Sequence, residues 1–373
     1  GEMNPQIAYG EDVISRITYA RDHENGRAEL QEALIRTLNL KIEEICELAD
    51  IEPAQLVDGV VVGNTAMHHL FAGLPVDQLV FAPYLAAICS AIDIRAADLG
   101  LGMSPGAYVH LLPNIAGYVG ADHAAVILST ELWNTDEIVL AVDIGTNTEI
   151  SLVHRGQVTS CSCASGPAFE GAHITYGMRA APGAIEKVQI IGDEIKLYTI
   201  EDQPPVGICG SGILDVVSEM KANQLIDEKG AIQKGAKFTQ EDAKGLPDLL
   251  LVSAGESGND QDITISRKDI NEIQLAKAAI RSGLEILLAE AGIRAEDVDR
   301  VLVAGAFGTY ISIPNAVAIG MFPRIPLDRF QQVGNAAGMG AVQALISRSR
   351  RKLISDEMQK ISYVELTTYE KFQ

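Results

Sequence analysis

The sequence predicts an α/β protein with two lobes. Its 373 residues exceed the usual size of one domain, roughly 100 to 200 residues, so two compact lobes are expected. Between Ile138 and Cys163 three apolar runs, IVLAVDIG, EISLVH and VTSCSC, are joined by the turns TNT and RGQ, as in a three-stranded meander. Apolar residues at spacings of three and four, such as Leu30, Leu34 and Leu38, predict helices elsewhere.

The order of these patterns divides the chain into three parts. We expect a first lobe over residues 1–136, a second lobe over residues 137–340, and a C-terminal helix and strand over residues 341–373 that pack back on the lobes. The first lobe is predicted to contain a helix over 27–49, a strand over 60–62, a helix capped by Asn64 or Thr65, a strand over 108–112 and a helix over 117–128.

The second lobe is predicted to contain further elements after the meander. They are a helix from Gly166-Pro167 through Ile174, a hairpin over 187–200, a helix over 213–220, an irregular polar surface over 223–258, a helix over 271–291, a strand over 300–304, and a short helix beyond Pro314. A helix over 334–347, in which Gly338 and Gly340 permit close packing, and a strand over 361–366 are expected to follow.

Composition excludes several classes of protein. Lys and Arg number 29 against 50 Asp and Glu, and the formal net charge of −21 argues against nucleic-acid binding over a broad surface. We interpret the one basic run, 348–352, as a charge complement to a helix C-terminus. No apolar run reaches about 18 residues, no signal peptide opens the sequence, and five cysteines without C-x-x-C spacing suit a reducing compartment. We therefore expect a cytoplasmic protein without membrane or nucleic-acid partners.

The clearest chemical motif is the run from Asp143 to Thr148, DIGTNT. A strand delivers Asp143 at its C-terminal end, and Gly145 lets the backbone approach a ligand. Hydroxyl, amide and backbone N–H groups of Thr146, Asn147 and Thr148 can bind phosphate oxygens, while Asp143 would hold Mg²⁺ through water or orient an attacking water. The structural alternative is a tight hairpin in which Asp143 bonds its own turn.

Two further motifs are weaker when taken alone. The predicted strand VLVA is followed by Gly305, Ala306, Phe307 and Gly308. These three small residues and one aromatic ring would face adenosine or ribose. The structural alternative is a plain buried strand with a glycine turn. Ser211 and Gly212 open a predicted helix whose N–H groups attract anions, although Ser211 would also serve as a simple N-cap.

Some well-known sites are missing from the sequence. It contains no G-x-x-x-x-G-K-[ST] phosphate loop and no H-E-x-x-H zinc site. The pair His68-His69 is interpreted as structural, because adjacent residues of a helix do not share a face.

Seven ordered stretches resemble a known family. They are NPQIAYGEDVISRI, VVVGNTAMHHLF, LPNIAGYVGAD, VDIGTNTEI, SGPAFEGAHI, GICGSGILD and VLVAGAFGTYI. DIGTNTE with AGAFG looks like the acetate/sugar kinase–chaperone–actin superfamily, and the whole set resembles the ATP-dependent reductive activators of corrinoid proteins. The resemblance implies a two-lobed actin-like (ribonuclease-H-like) ATPase fold whose first lobe here lacks its opening β-meander, so that Asp143 belongs to the second phosphate loop.

The resemblance also implies a function. Such proteins couple ATP binding and hydrolysis to the reduction of inactive Co(II) to Co(I) in a corrinoid protein of a methyltransferase system. ATP and Mg²⁺ are the implied cofactors, and a [2Fe–2S] cluster is expected on an N-terminal domain that this sequence does not contain. A corrinoid protein and a homodimer are the implied partners. Whether the pathway demethylates an aryl ether or a methylamine, or uses carbon monoxide, stays open.

Two alternative functions stay open at this point. A small-molecule kinase of the same superfamily would need a polar substrate pocket that the sequence does not mark. A nucleotide-regulated docking module without its own catalysis would follow if the missing first phosphate loop is essential.

Overall fold

The computed structural model describes residues 1–10, 12–305 and 307–369. The described chain forms two compact units. Of the described residues, unit 1 contains those within 1–136, 153–161 and 335–364, and unit 2 contains those within 137–152, 162–334 and 365–369. Among the described residues, no helix is both long and apolar enough to cross a membrane.

The described residues form both helices and strands. The helices are α1 (Val13–Asp22), α2 (Gly26–Ala49), α3 (Thr65–Phe71), α4 (Ala96–Leu99), α5 (Ala121–Thr130), α6 (Gly210–Ala222), α7 (Arg267–Ala291), α8 (Ile313–Ala318), α9 (Ala336–Ile346) and α10 (Arg348–Met358). The strands are β1 (Asp58–Val61), β2 (Ile92–Arg95), β3 (Tyr108–Leu111), β4 (Val139–Ile144), β5 (Thr148–His154), β6 (Gln157–Cys163), β7 (Ala184–Ile191), β8 (Glu194–Thr199), β9 (Gly207–Ile208), β10 (Thr239–Glu241), β11 (Pro247–Val252), β12 (Ile263–Ile265), β13 (Arg300–Ala304), β14 (Phe330–Gly334) and β15 (Ser362–Tyr363).

Unit 1 contains a small mixed sheet with the order β1-β3-β2, in which β1 and β3 are parallel and β2 and β3 antiparallel. Its core includes the faces of α2 and β3 that carry Ile35, Val109 and Leu111. Helix α9 packs closely on α5, because a Cβ on Gly340 would lie 2.0 Å from the carbonyl oxygen of Ala125. This contact confirms the close packing expected of Gly340.

The main sheet has the strand order β14-β13-β4-β5-β6-β15. Strand β13 pairs in parallel with both β4 and β14, so the C-terminal ends of these three strands meet at one edge. Strands β4 to β6 form the predicted meander. The predicted hairpin is also present, as β7 and β8, and its tip is Gly192-Asp193. The fold is α/β with mixed sheets, as the sequence predicts.

Several local predictions are wrong. The helix expected after Gly166 is one short 3-10 turn, Pro167–Glu170, because Gly171 follows with a φ of 83° and reverses the chain. The surface expected to be irregular over 223–258 contains β10 and β11. Strand β10 has three residues and none of them is apolar, and β11 carries a continuous apolar run without the alternation that marks a half-buried strand.

The basic run lies at the junction of two helices, directly after the C-terminus of α9. It opens α10, because the Ser347 hydroxyl accepts a hydrogen bond from Arg350 N at 3.3 Å and starts a second helix directly after α9. Arg351 Nε donates to Ala344 O at 2.7 Å and Arg351 Nη2 donates to Leu345 O at 3.4 Å, and both carbonyl groups lie in the last turn of α9, so the predicted complement to a helix C-terminus is confirmed for Arg351. Arg350 pairs with Glu131, and Arg351 also pairs with Asp58.

Candidate functional site

The phosphate-loop motif forms the tight turn between β4 and β5 in unit 2. Asp143 is half-buried near the C-terminal end of β4. After it the chain reverses, and Gly145 N donates to Asn147 O at 3.1 Å. The turn leaves Gly145 exposed and Thr146 and Asn147 partly exposed, while Thr148 is buried. The predicted phosphate ligands therefore lie together, with three of them accessible at the surface.

Ser165 is a contact of this turn that sequence analysis did not identify. Its hydroxyl lies 2.9 Å from Thr148 Oγ1, and both side chains are buried. The same hydroxyl lies 3.5 Å from Gly145 O and 3.4 Å from Thr146 O. Ser165 thus ties the turn to the segment after β6. It falls within the resemblance stretch SGPAFEGAHI, which was its only signal in the sequence.

Glu170 is the second unexpected contact. Its carboxylate accepts a hydrogen bond from the Thr146 hydroxyl at the exposed side of the turn. Glu170 ends the 3-10 turn Pro167–Glu170 and is itself exposed. A second carboxylate, besides Asp143, therefore belongs to the surroundings of the phosphate-loop motif.

Gly305 lies beside Asp143. Ala304 of β13 is in register with Asp143 of β4, and the chain then turns at Gly305 with a φ of 94°. A Cβ at this position would lie 2.4 Å from Ile144 O and 2.9 Å from Asp143 Oδ1. Only glycine fits here, because both the positive φ and the contact exclude a larger residue. Ala306, a predicted adenosine contact, lies outside the described residues.

Phe307 and the first residue of α6 pack together close to Gly305. The Phe307 ring stacks on the Phe169 ring, with centroids 4.7 Å apart and planes at 15°. Gly210 packs against both, since a Cβ there would lie 1.9 Å from Phe169 O and 2.8 Å from Phe307 Cε2. Gly308 sits near Val303, where a Cβ would lie 3.1 Å from Cγ1. Four motifs that are far apart in the sequence are therefore joined by direct contacts in unit 2.

Ser211 and Gly212 have different surroundings. Cys209, not Ser211, is the N-cap of α6, and its side chain makes no capping hydrogen bond. Ser211 lines a groove, whereas Gly212 packs on β7, since a Cβ there would lie 2.2 Å from Ile185 O. Packing alone accounts for the glycine at position 212.

The groove lined by Ser211 has a volume of about 560 Å³. The other lining residues are Glu186, Lys187, Val188, Gln189, Tyr198, Asp215, Glu219, Tyr310, Ser312 and Asn315. Two aromatic side chains are strongly exposed there, Tyr198 at 44% and Tyr310 at 71%. Tyr310 N donates to Phe307 O at 3.0 Å, so the groove adjoins the loop that follows β13.

A buried polar network forms the floor of the groove. The Asp215 carboxylate accepts from Asn315 Nδ2 at 2.6 Å, and Asn315 Oδ1 accepts from the Ser218 hydroxyl at 3.2 Å. Burial raises the pKa of the Asp215 carboxyl above its ordinary value, and the hydrogen bonds from Asn315 and from the Val188 backbone oppose that rise. The network fixes Asn315 and Asp215 as polar groups beneath the two tyrosines.

The donor set suits a magnesium nucleotide. Asp143 offers carboxylate oxygens and Thr146 offers a hydroxyl oxygen, and oxygen atoms are the ligands that Mg²⁺ prefers. No cluster of three or more His, Cys, Asp or Glu residues suited to a metal occurs in the part of the chain that the structure describes. Mg²⁺ commonly keeps several waters and binds through one or two carboxylates together with substrate phosphates, so this arrangement fits it. A Cβ at Gly305 would lie 2.9 Å from Asp143 Oδ1, so the glycine keeps a side chain at this position from covering the carboxylate.

Comparison with known proteins identifies the family. The profile of the C-terminal domain of RACo, the ASKHA domain, matches residues 137–373, and that of the RACo middle region matches residues 1–135. The corrinoid activation enzyme RamQ of Eubacterium limosum is 36% identical over 378 residues, which cover 99% of this chain and 63% of that protein. A solved structure, "Reductive activator for corrinoid,iron-sulfur protein", superposes with a TM-score of 0.90 at 38% identity, covering 100% of this chain and 60% of that one.

A more distant relative carries a more specific name. The "[Co(II) methylated amine-specific corrinoid protein] reductase" of Methanosarcina barkeri is 27% identical over 284 residues, which cover 70% of this chain and 49% of that protein. The chain thus spans about half to two thirds of the length of these relatives. It belongs to the RACo family, and it contains the middle region and the C-terminal ASKHA domain of that family.

Proposed function

We propose that this chain is the ATPase and partner-binding part of a reductive activator, which couples ATP binding and hydrolysis to the reduction of Co(II) to Co(I) in a corrinoid protein. The observation that carries the nucleotide part is the pairing of Asp143 with Gly305 at the ends of two parallel strands. Ligands of α/β sheets commonly bind at the C-terminal ends of the strands. The names of the relatives support the corrinoid part.

The phosphates of ATP are proposed to bind at the turn from Gly145 to Thr148. Thr146 and Asn147, which are partly exposed, would supply backbone N–H groups, Thr146 would add its hydroxyl, and Ser165 holds the turn in place. Asp143 would hold Mg²⁺ through water or orient the attacking water. When bound, Mg²⁺ would neutralise phosphate charge. This chain would hold the carboxylate of Asp143 and the hydrogen-bond donors of the turn in position before the nucleotide binds.

The adenosine end is proposed to lie in the groove next to Tyr310. Glu186, Asp215 and Glu219 outnumber the single Lys187 among its lining residues, so the groove disfavours phosphate. The same carboxylates can accept hydrogen bonds from ribose hydroxyls or an exocyclic amine. An exposed tyrosine offers a flat surface for stacking with a base. Phe307 and Gly305 lead from this groove to Asp143.

ATP is proposed to drive the cycle by stabilising one state of the activator over another. A nucleotide shifts an equilibrium only by its differential affinity for the two states. The electron would come from a [2Fe–2S] cluster on a domain outside this chain, and the corrinoid protein would be the acceptor. We further propose that the protein acts in the cytoplasm and as a homodimer, which are expectations from the family resemblance.

An anaerobic reduction assay tests the function. The activator, including its iron–sulfur domain, is mixed with a Co(II) corrinoid protein and a low-potential reductant, and the Co(I) absorbance is followed with Mg·ATP, Mg·ADP or no nucleotide. Formation of Co(I) that needs ATP is the expected result. Equal rates with and without nucleotide would contradict coupling, and corrinoid-protein binding unaffected by nucleotide would instead favour a docking module. Phosphorylation of an added sugar or acid would indicate a kinase.

A further inference from the structure

Glu170 places a negative charge at the phosphate-binding turn. Its carboxylate accepts a hydrogen bond from Thr146, which is one of the proposed phosphate donors. We propose that Glu170 is a positioning residue that makes nucleotide binding at this turn dependent on Mg²⁺. This inference rests on the proposed nucleotide site. It adds Glu170, which lies outside the DIGTNT motif, to the residues that affect nucleotide binding.

The backbone around Glu170 is held on two sides. On one side the Phe169 ring stacks on Phe307, and Phe169 O packs against Gly210. On the other side Gly171 has a φ of 83°, and a Cβ there would lie 2.5 Å from Met178 O. The segment therefore cannot retreat from the turn without breaking these contacts. The charge of Glu170 stays near Thr146 unless its side chain rotates away.

Among the described residues, no basic side chain forms a salt bridge with the Glu170 carboxylate. The salt bridges found in the described ranges involve other carboxylates. Within residues 1–10, 12–305 and 307–369, the hydrogen bond from the Thr146 hydroxyl is the one that this carboxylate accepts. An incoming phosphate oxygen would compete with the carboxylate for the Thr146 hydroxyl, and the two anions would repel each other. A divalent cation removes this repulsion, because it attracts both.

The Glu170→Gln variant separates charge from shape. Glutamine keeps an oxygen that can accept from Thr146, so the turn is preserved while the negative charge is lost. ATP without Mg²⁺ should then bind more tightly, whereas Mg·ATP should change less. The ratio of the two dissociation constants should fall about three- to tenfold, the size expected of one exposed charge at short range. A purely structural role would change both constants alike.

Calorimetric titration of the chain tests this inference at low ionic strength. ATP is titrated in EDTA and in excess Mg²⁺ into the wild type, Glu170→Gln, Glu170→Asp and Glu194→Gln. Glu170→Asp keeps the charge and should retain the wild-type ratio. Glu194 is exposed at the start of β8, so Glu194→Gln changes the net charge equally and controls for long-range effects.

Three results would overturn the inference. An unchanged ratio in Glu170→Gln would make Glu170 merely structural. A larger ratio, caused by weaker Mg·ATP binding, would make Glu170 a direct holder of Mg²⁺. No ATP binding by any of the folded proteins, with or without Mg²⁺, would remove the proposed nucleotide site itself, and this failure is distinct from the first two.

Discussion

Asp143 and Gly305 lie next to each other because two parallel strands, β4 and β13, end at the same level. A Cβ on Gly305 would lie 2.9 Å from Asp143 Oδ1, and the backbone there has a φ of 94°. The two residues are 162 positions apart in the sequence, and the sheet register joins them through Ala304. This pairing links the phosphate motif to the adenosine motif.

Gly305→Ala should destabilise unit 2 and weaken nucleotide binding, because the new methyl group would meet Ile144 O. Gly320→Ala is a matched control, since its φ of 85° is similar but no atom lies within 4 Å of its Cβ. Both variants incur about 1–2 kcal/mol for the positive φ. Overpacking should add about 1–3 kcal/mol in Gly305→Ala alone. Urea unfolding measures the difference, and equal losses in the two variants would contradict the contact.

Tyr310→Ala should weaken ATP binding but leave pyrophosphate binding unchanged. Tyr310 is 71% exposed and lines the groove proposed for adenosine, so its loss removes stacking without disturbing a core. Stacking on an aromatic side chain is worth about 1–3 kcal/mol, which corresponds to roughly five- to 150-fold in affinity. Competition binding with both ligands measures the effect. A parallel loss of pyrophosphate affinity would show that the groove is not the nucleoside end.

Unit 1 should lose stability as the pH falls below about 6.5. Burial lowers the pKa of His68 to about 4 and that of His123 to about 3, and it also lowers the pKa of His69. Near pH 7 these groups are neutral in both states. Below about 6.5 the unfolded chain takes up protons that the folded chain does not bind, so folding becomes less favourable.

One buried acid works in the opposite direction. Burial raises the pKa of Asp122 to about 6, and this group therefore adds stability at low pH that is lost as the pH rises through about 6. Three histidines outweigh one aspartate, so the net change should be a loss on acidification. Urea unfolding at pH 7.5, 6.5 and 5.5, followed by hydrogen exchange in α3 and α5, measures it. Equal stability at all three values would contradict the buried neutral histidines.

Gly340→Ala should destabilise unit 1 although alanine favours helices. Alanine gains about 1 kcal/mol of helix propensity over glycine, but its methyl group would lie 2.0 Å from Ala125 O on the neighbouring helix. The clash should exceed that gain, with a net loss of about 2 kcal/mol. Gly338→Ala is the comparison, because its Cβ meets the Asn335 side chain rather than backbone. A stabilised Gly340→Ala variant would refute the close packing.

Strong periodicity made much of the fold predictable. The meander, the β7–β8 hairpin and the long helices α2 and α7 follow from apolar spacing and turn residues, and DIGTNT was recognised from its residue types. The tertiary relations were not predictable from such patterns. Ser165 and Glu170 lie on the segment after β6 and meet the turn through contacts across 17 and 24 positions of sequence, and Asp215 meets Asn315 across 100 positions.

The elements that were not predicted are those whose sequence patterns are short and weak. Helix α10 begins directly after α9 because Ser347 caps it, and a change of axis inside one helical pattern leaves no break in the periodicity. Strand β10 contains no apolar residue, and it is stabilised by pairing with β11 rather than by its own sequence. Ser165 carried no motif of its own, since its role depends on which backbone carbonyls fold around it.

The central claim is that the turn beside Asp143 binds a magnesium nucleotide. Calorimetric titration of the chain with Mg·ATP, beside the Asp143→Ala variant, tests it most directly, with thermal unfolding to show that the variant stays folded. We predict measurable binding by the wild type and at least a tenfold loss in Asp143→Ala. Equal affinity in both proteins, or no binding by the folded wild type, would contradict the account.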